Sequence, residues 1–380
     1  MHQSVPLFRH HSLSLIPNHT VPYLTANIPT MHKTQDELFM QRAFDLAELG
    51  AGKVSPNPLV GAVIVHEGII IGEGWHDYYG GPHAEVNAVQ SVKNKTLLPH
   101  ATLYCTLEPC FHVGKTPPCV ELILAHNIKK VIVAVQDINP LVAGKSIEKL
   151  KEMGVEVQVG VLAEQFLPQN KVFVHWMTHQ AQQPYIILKW AQSRDGFIGK
   201  KGERVAISDP VTRRLVHRWR SECAAILVGT QTALADNPQL DTRYYTGKNP
   251  LRIVIDFEGK MPLTHALLDD STPTWIIGKT RLGNWKQTIF KPFSRENLLH
   301  ELSIALAQDK KASLLVEGGA ELIQSYIDLG LFQEIRMIEN EQILGMGIRA
   351  PKLQQALPVL KEQWIGKDKI QFYRKGSITG

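Results

Sequence analysis

The segment that decides the fold of the first half of the chain begins Pro82-His83-Ala84-Glu85, continues Glu108-Pro109-Cys110 and ends Pro117-Pro118-Cys119. One imidazole and two thiolates are three ligands for Zn²⁺, and a site with three protein ligands keeps a fourth position open for water. Each ligand lies where a predicted strand or loop runs into a helix, and the positive end of a helix dipole favours a thiolate there. The spacing therefore predicts a zinc site with an open position.

Glu85 supplies a second functional group. It follows His83 by two residues, so on a helix it does not point in the ligand's direction. It is placed to lie beside the water and to move its proton, since zinc lowers the pKa of bound water to about 7. This division of labour is typical of zinc deaminases, which attack an amidine-like ring carbon and protonate the departing ammonia.

A closed structural zinc site is the main alternative, and it needs a fourth protein ligand. Cys105, His112 and His76 are the local candidates, although Cys105 fits better as a buried strand residue. A disulfide between Cys110 and Cys119 is less consistent with the few cysteines of this chain. The adjacent His-x-Glu pattern favours the catalytic site.

Predicted strands and helices alternate around this segment. A capping box at Thr34-Gln35-Asp36-Glu37 starts the first helix. Strands then follow at 59–66 and 69–75, and further helices and strands continue to residue 159. This alternation predicts a three-layer α/β unit. The polar stretch 178–183 looks like a connector, so we expect one domain over residues 31–176 and a second over 184–380.

The composition of the chain limits the class of protein and the partners that it can bind. The 380 residues are 44% hydrophobic and 20% charged, which is typical of a globular protein of two domains. The excess of 41 basic over 36 acidic residues gives +5, which suits a small anionic substrate and is too weak for a nucleic-acid-binding surface. There is no apolar run long enough to cross a bilayer. Four cysteines indicate a reduced, cytoplasmic protein, and we expect residues 1–30, which lack Asp and Glu, to be a disordered extension.

The second half offers a weaker pattern. Gly345-Met346-Gly347-Ile348-Arg349-Ala350 matches the relaxed dinucleotide fingerprint, but Pro351 follows and too little chain remains for a βαβ unit. The predicted strand 313–316 followed by Glu317-Gly318-Gly319-Ala320-Glu321 is a better phosphate site, since a helix start exposes backbone N–H groups. The same pattern also fits a plain β-to-α turn. Three arginines are candidates for a phosphate clamp: Arg204, Arg220 and Arg243.

The motifs together resemble the bifunctional deaminase/reductase family of riboflavin biosynthesis. In the first half the resemblance lies in the run 55–61, the 82–85 motif and the segment 108–119, with eight residues between its two cysteines. In the second half it lies in Leu188-Lys189-Trp190-Ala191-Gln192-Ser193, in Asp236-Asn237-Pro238-Gln239-Leu240 and in the 317–319 turn. Together these segments span about residues 33–360.

The resemblance implies a fold for each half. The first is a cytidine-deaminase-like three-layer α/β/α domain, and the second is a dihydrofolate-reductase-like α/β domain. It implies hydrolytic deamination of 2,5-diamino-6-ribosylamino-4(3H)-pyrimidinone 5′-phosphate, followed by NADPH-dependent reduction of the ribosyl group to ribityl. It also implies a homo-oligomer that binds neither nucleic acid nor membranes.

The resemblance further implies roles for single residues. One zinc per chain is held by His83, Cys110 and Cys119, with Glu85 as proton shuttle and Asn57 in the base pocket. Lys189, Asp236 and Glu317 surround the reacting sugar carbon. The residues expected at the ribose phosphate are Arg204, Arg220, Leu240, Arg243 and Glu317, and those expected at NADPH are Ala191, Ala206, Thr232, Asp236, Gly319, Ala320 and Glu321.

Three other functions remain open at this point. The first is a deaminase whose reductase domain is degenerate. The second is a nucleic-acid base deaminase, although the long spacing between the two cysteines argues against it. The third is a non-catalytic binding protein stabilised by zinc.

Overall fold

The structure is a computed structural model that describes residues 33–111, 118–139, 142–203, 205–278 and 285–376. The predicted extension 1–30 lies outside these residues. The capping box is confirmed, because Glu37 N donates to Thr34 Oγ1 at 3.2 Å and Thr34 N donates to Glu37 Oε2 at 2.7 Å. No helix in the described ranges has the length and apolarity to cross a bilayer.

The described residues of the first half form one five-stranded sheet in the order β2-β1-β3-β4-β5. β1 pairs with β2 and β3 in antiparallel fashion, while β3, β4 and β5 run parallel. The elements are α1 (Gln35–Ala47), β1 (Gly61–His66), β2 (Ile69–Trp75), α2 (Ala84–Ser91), β3 (Thr102–Cys105), α3 (Cys119–Ala125), β4 (Lys130–Val133), α4 (Lys145–Glu152), β5 (Glu156–Val159) and α5 (Phe166–Thr178).

Side chains of this sheet alternate between two cores, as a period of two along a strand requires. Ala62 and Ile64 of β1 pack with α2, α3 and α4 on one face. Val63 and Val65 pack with α1 and α5 on the other. The result is the predicted three-layer unit.

The second half builds a nine-stranded sheet from described residues, in the order β11-β10-β9-β8-β12-β6-β13-β16-β15. The strands from β11 to β13 run parallel, and β16 and β15 add antiparallel at the edge. The elements are β6 (Tyr185–Ser193), β7 (Phe197–Gly199), α6 (Pro210–Glu222), β8 (Ala225–Val228), α7 (Thr230–Asp236), β9 (Leu251–Asp256), β10 (Thr274–Gly278), β11 (Thr288–Lys291), α8 (Leu298–Gln308), β12 (Ser313–Glu317), α9 (Ala320–Asp328), β13 (Glu334–Asn340), β14 (Ile348–Arg349), β15 (Val359–Ile365) and β16 (Asp368–Arg374).

Strand order positions the second site. In the sheet β12 lies between β8 and β6, although β9, β10 and β11 come between β8 and β12 in the sequence. This crossover places Glu317, the last residue of β12, directly opposite Lys189 of β6. Ligands of open parallel sheets bind beyond the carboxyl ends of the strands. Glu317 lies at that end of β12, and Lys189 faces it from the middle of β6.

Helix α5 packs against both halves. Its Phe166 and Val174 are buried in the first core, and Val172 packs against the core of the second sheet. The two halves also approach closely at Gly52, where an added Cβ would lie 2.1 Å from Ser221 O. Any side chain at position 52 would therefore push the halves apart.

A buried charge cluster joins α5 to the second sheet. Lys171 of α5 is paired with Glu334 at the start of β13, and Arg336 Nε donates to Glu334 Oε1 at 2.7 Å. The Tyr185 hydroxyl donates to Glu334 Oε2 at 3.1 Å. Burial raises the pKa of Glu334, but the charges of Arg336 and Lys171 outweigh it and lower that pKa to about 2.

We expect Glu334 to make the stability of the fold depend on pH. Its pKa of about 2 lies below the ordinary value of 4.5, so its stabilisation is complete above that value and is lost as the pH falls toward 2. The difference corresponds to about 3 kcal/mol. In urea unfolding curves, the stability lost in Glu334→Gln should be largest at neutral pH and should shrink in acid. A loss independent of pH would contradict this role.

Candidate active sites

The three predicted metal ligands come together at two helix starts. His83 is the N-cap of α2, Cys119 is the first residue of α3, and Cys110 lies in the loop after β3. His83 Nδ1 is 3.4 Å from Cys110 Sγ and 3.3 Å from Cys119 Sγ. All three ligand atoms lie within 4.8 Å of one another.

The donor set fits zinc. One imidazole nitrogen and two sulfurs are the ligand types that Zn²⁺ prefers. Hydrogen bonds from Cys119 and His83 lower the pKa of the Cys110 thiol, which favours the thiolate needed for binding a metal. Among the described residues, no further His, Cys, Asp or Glu belongs to this cluster.

The closed structural site loses two of its three candidate ligands. His76 Nε2 lies 3.1 Å from Asn57 Nδ2 and its Nδ1 lies 3.0 Å from Pro82 O, so both ring nitrogens already have partners. Cys105 is a buried residue of β3, as its sequence context predicts. His112 lies outside the described residues. The described cysteines are free thiols, including Cys110 and Cys119.

Glu85 is buried in the first turn of α2, with 3% of its surface exposed. Burial raises its pKa, and the neighbouring Cys110 adds to this effect. A carboxyl group with a raised pKa takes up and releases a proton more readily near neutral pH. Asn57 is linked to the metal cluster through His76, because its Nδ2 lies 3.1 Å from His76 Nε2 and the ring centroids of His76 and His83 are 5.8 Å apart.

Sequence reasoning missed the role of Glu108. Its buried carboxylate accepts hydrogen bonds from the backbone N–H groups of Asp137 at 3.0 Å, Gly144 at 2.9 Å and Ser146 at 3.1 Å. Glu108 thereby fastens the loop after β4 beside the metal ligands. Its position two residues before Cys110 was the available clue, but its partners lie 29 to 38 residues further along the chain.

The second site is built around Glu317. Arg220 of α6 donates to it through two nitrogens, Nε to Oε1 at 2.9 Å and NH2 to Oε2 at 2.8 Å. Lys189 Nζ lies 3.9 Å from Glu317 Oε2. Burial would raise the pKa of Glu317, but Arg220 and Lys189 lower it to about 2. Burial also lowers the pKa of Lys189, an effect that Glu317 opposes.

Arg220, which the resemblance places at the ribose phosphate, is held by protein partners in this structure. Its Nε and Nη2 donate to Glu317, and its Nη1 donates to the carbonyl of Asp241 at 3.2 Å. Asp236 ends α7 and is exposed, and its charge raises the pKa of Lys189. The two residues thus lie within electrostatic range.

Two of the expected phosphate residues follow α7. Leu240 is buried with φ 54°, and Arg243 is exposed. Arg243 NH1 donates to Gln239 Oε1 at 2.8 Å and to Asp241 Oδ1 at 2.5 Å. Arg204 lies outside the described residues.

The expected cofactor residues form two groups. Thr232 lies against the glycine turn, since a Cβ added to Gly318 would lie 2.8 Å from Thr232 Cγ2. Gly319, with φ 65°, is the N-cap of α9, where Ala320 and Glu321 follow. This open turn at the start of a helix fits a phosphate of NADPH. The remaining two are Ala191 on β6 and the exposed Ala206, whose carbonyl accepts from Gln342 Nε2 at 3.3 Å.

Known protein families match both halves of the chain. Residues 33–135 match the cytidine and deoxycytidylate deaminase zinc-binding region, and residues 184–367 match the RibD C-terminal domain. These matches confirm the predicted fold of each half, a deaminase-like domain followed by a reductase domain.

Relatives match over most of the chain. The riboflavin biosynthesis protein RibD of Aquifex aeolicus (strain VF5) is 37% identical over 358 residues, which cover 90% of this chain and 98% of that protein. The RibD of Bacillus amyloliquefaciens is 40% identical over 329 residues, or 84% and 87% of the two chains.

Solved structures give the same result. A diaminohydroxyphosphoribosylaminopyrimidine deaminase/5-amino-6-(5-phosphoribosylamino)uracil reductase from Thermotoga maritima superposes with a TM-score of 0.81 at 33% identity, covering 90% of this chain and 98% of that one. Acinetobacter baumannii RibD gives a TM-score of 0.79 at 33% identity, covering 90% and 99%.

Proposed function

Because this chain belongs to the RibD family of bifunctional deaminases and reductases in riboflavin biosynthesis, we propose which of its residues perform each reaction. The substrate is 2,5-diamino-6-ribosylamino-4(3H)-pyrimidinone 5′-phosphate. Water replaces its amino group and ammonia leaves, and the ribosyl group is then reduced to ribityl. The observation that carries the proposal is the His83, Cys110 and Cys119 cluster with buried Glu85 beside it.

His83, Cys110 and Cys119 hold the zinc of the deaminase site. Bound there, zinc activates water for hydrolysis. Glu85 takes the proton from the attacking water and delivers it to the departing ammonia, and its raised pKa supports both transfers. Asn57, oriented by His76, supplies an amide to the pyrimidine edge.

The reductase reaction belongs to the Glu317 cluster. NADPH supplies the hydride that adds to the sugar carbon of the opened ribosylamine. Lys189, partly buried and with a lowered pKa, donates the accompanying proton. Glu317 stays ionised between Arg220 and Lys189, which fixes the direction of both cations.

We also propose where each ligand lies around this cluster. Arg243, Arg204 and the buried Leu240 bind the ribose phosphate end, with Arg220 and Glu317 beside them. Thr232 and the turn of Gly319, Ala320 and Glu321 bind a phosphate of NADPH, and Asp236 faces the cofactor and the reacting carbon. Ala191 and Ala206 line the remaining cofactor surface.

The remaining expectations are part of the proposal. The domains span residues 31–176 and 184–380, and the protein acts as a cytoplasmic homo-oligomer on a small molecule rather than on nucleic acid. The free cysteines support a reduced compartment.

A coupled assay with metal analysis tests the proposal. The purified protein should contain about one zinc per chain. Chelation should stop ammonia release from the diaminopyrimidine while NADPH oxidation on the deaminated intermediate continues, and added zinc should restore the first activity. Ammonia release that survives complete zinc removal would overturn the assignment. A protein that releases ammonia but oxidises no NADPH would have a degenerate reductase domain.

A further inference from the structure

The turn over residues 236–240 has a backbone that its own sequence does not favour. It begins at the last residue of α7, contains Leu240 and leads to Arg243. Asn237 has φ 41° and Leu240 has φ 54°, both in the left-handed region, which a branched residue such as Leu rarely adopts. Such a conformation persists when surrounding contacts hold it in place. The turn is therefore expected to depend on contacts from elsewhere in the fold.

The first of these contacts come from the bracing loop, residues 261–272. His265, 3% exposed, lies 2.8 Å through Nε2 from Ala233 O, near the end of α7. Its Nδ1 accepts from Leu267 N at 3.1 Å, which makes Nε2 the donor to the carbonyl. The next residue, Ala266, donates its backbone N–H to Asn237 Oδ1 at 2.8 Å. The bracing loop thus holds both the last turn of α7 and its left-handed cap.

Arg252 of β9 forms hydrogen bonds to both the turn and the bracing loop. It is 2% exposed, an unusual position for a guanidinium, and its charge is paired with Asp269 at 2.9 Å. Its NH1 donates to Gln239 O at 3.4 Å and to Ala266 O at 3.3 Å. A buried Arg is costly unless its donors are satisfied. Here they are satisfied largely by backbone carbonyls of these two segments.

We propose that Arg252, His265 and Asn237 are positioning residues of the reductase reaction, which hold the 236–240 turn where Asp236 meets the cofactor and Leu240 the substrate. This inference rests on the proposed function, because that proposal places Asp236 and Leu240 in the site. A displacement of about 1 Å in such a group can cost about a hundredfold in rate. Arg220, through Asp241 O, holds the opposite end of the same segment.

Two matched glycine variants test the proposal. Asn237→Gly removes the acceptor for Ala266 N and keeps the left-handed backbone unstrained. Asp270→Gly is the control at the far end of the bracing loop. Asp270 also has a left-handed backbone, with φ 55°, but its carboxylate accepts from Lys286 N and Gln287 N and not from the 236–240 turn. We expect Asn237→Gly to lower kcat for NADPH oxidation about tenfold or more and to raise KM for the pyrimidine. Asp270→Gly should lose stability and keep both values, and ammonia release should be unchanged in both variants.

A second pair tests the contact from His265. His265→Leu removes the donor to Ala233 O, while His265→Gln keeps an amide N–H within reach of it. We expect the same kinetic loss in the Leu variant and substantial rescue in the Gln variant. Wild-type kcat and KM in both Asn237→Gly and His265→Leu would overturn the inference. Should Asp236→Ala itself keep wild-type NADPH oxidation, the proposed function of the turn would fail instead, so the two failures are distinguishable.

Discussion

Replacing Glu85 with Gln is expected to lower the rate of ammonia release by about 10²- to 10⁴-fold, the usual contribution of a positioned general acid or base. Gln has nearly the same shape, so the buried site should stay packed. It does not take up a proton, so water attack and ammonia departure both lose their proton carrier. The measurement is ammonia release under saturating substrate, with zinc content determined on the same preparation.

Glu121 offers a matched control. It lies two residues after the ligand Cys119 in the first turn of α3, just as Glu85 lies two residues after His83 in the first turn of α2. Glu121 is exposed, whereas Glu85 is buried. Glu121→Gln should release ammonia at the wild-type rate. Both variants should bind zinc and oxidise NADPH normally, and unchanged deamination in Glu85→Gln would exclude Glu85 as the proton carrier.

The metal site could be predicted because its chemistry lies in short local patterns. His83 and Cys119 lie at helix starts and Cys110 lies in the loop after a strand, so the sequence shows both the ligand type and the junction near it. The distance of 3.3 Å between Cys119 Sγ and His83 Nδ1 agrees with that prediction. The role of Glu108 could not be predicted, because it depends on backbone N–H groups of a loop that is distant in sequence.

The second site was harder to predict from the sequence, because strand order brings its residues together. Lys189 and Glu317 are brought together only because β12 inserts between β8 and β6, and periodicity within a strand contains no information about strand order. The pairing of Arg220 with Glu317 follows from the same insertion. The edge strands β15 and β16 were missed as well, since most side chains of β15 are exposed and show no alternation of apolar and polar residues.

Replacing Lys189 with Ala should abolish NADPH oxidation while ammonia release stays at the wild-type rate. Lys189 is a partly buried cation with a lowered pKa, which makes its proton available to the reacting sugar. Removing it leaves Glu317 bound by two hydrogen bonds to Arg220, so the carboxylate is not stranded and the fold should persist. We expect a loss of about 10²- to 10⁴-fold in kcat. Asp236→Ala should cause a similar loss, because Asp236 is also proposed to lie at the reacting carbon.

Lys171 is the control that separates chemistry from stability in this experiment. Like Lys189 it is a partly buried lysine paired with a buried carboxylate, here Glu334, but it belongs to the contact between α5 and β13. Lys171→Ala should lower the unfolding midpoint in urea and leave NADPH kinetics intact. If Lys171→Ala and Lys189→Ala reduced NADPH oxidation equally, the effect would come from a loosened sheet rather than a lost proton donor. If Lys189→Ala also stopped ammonia release, the two sites would not be separable.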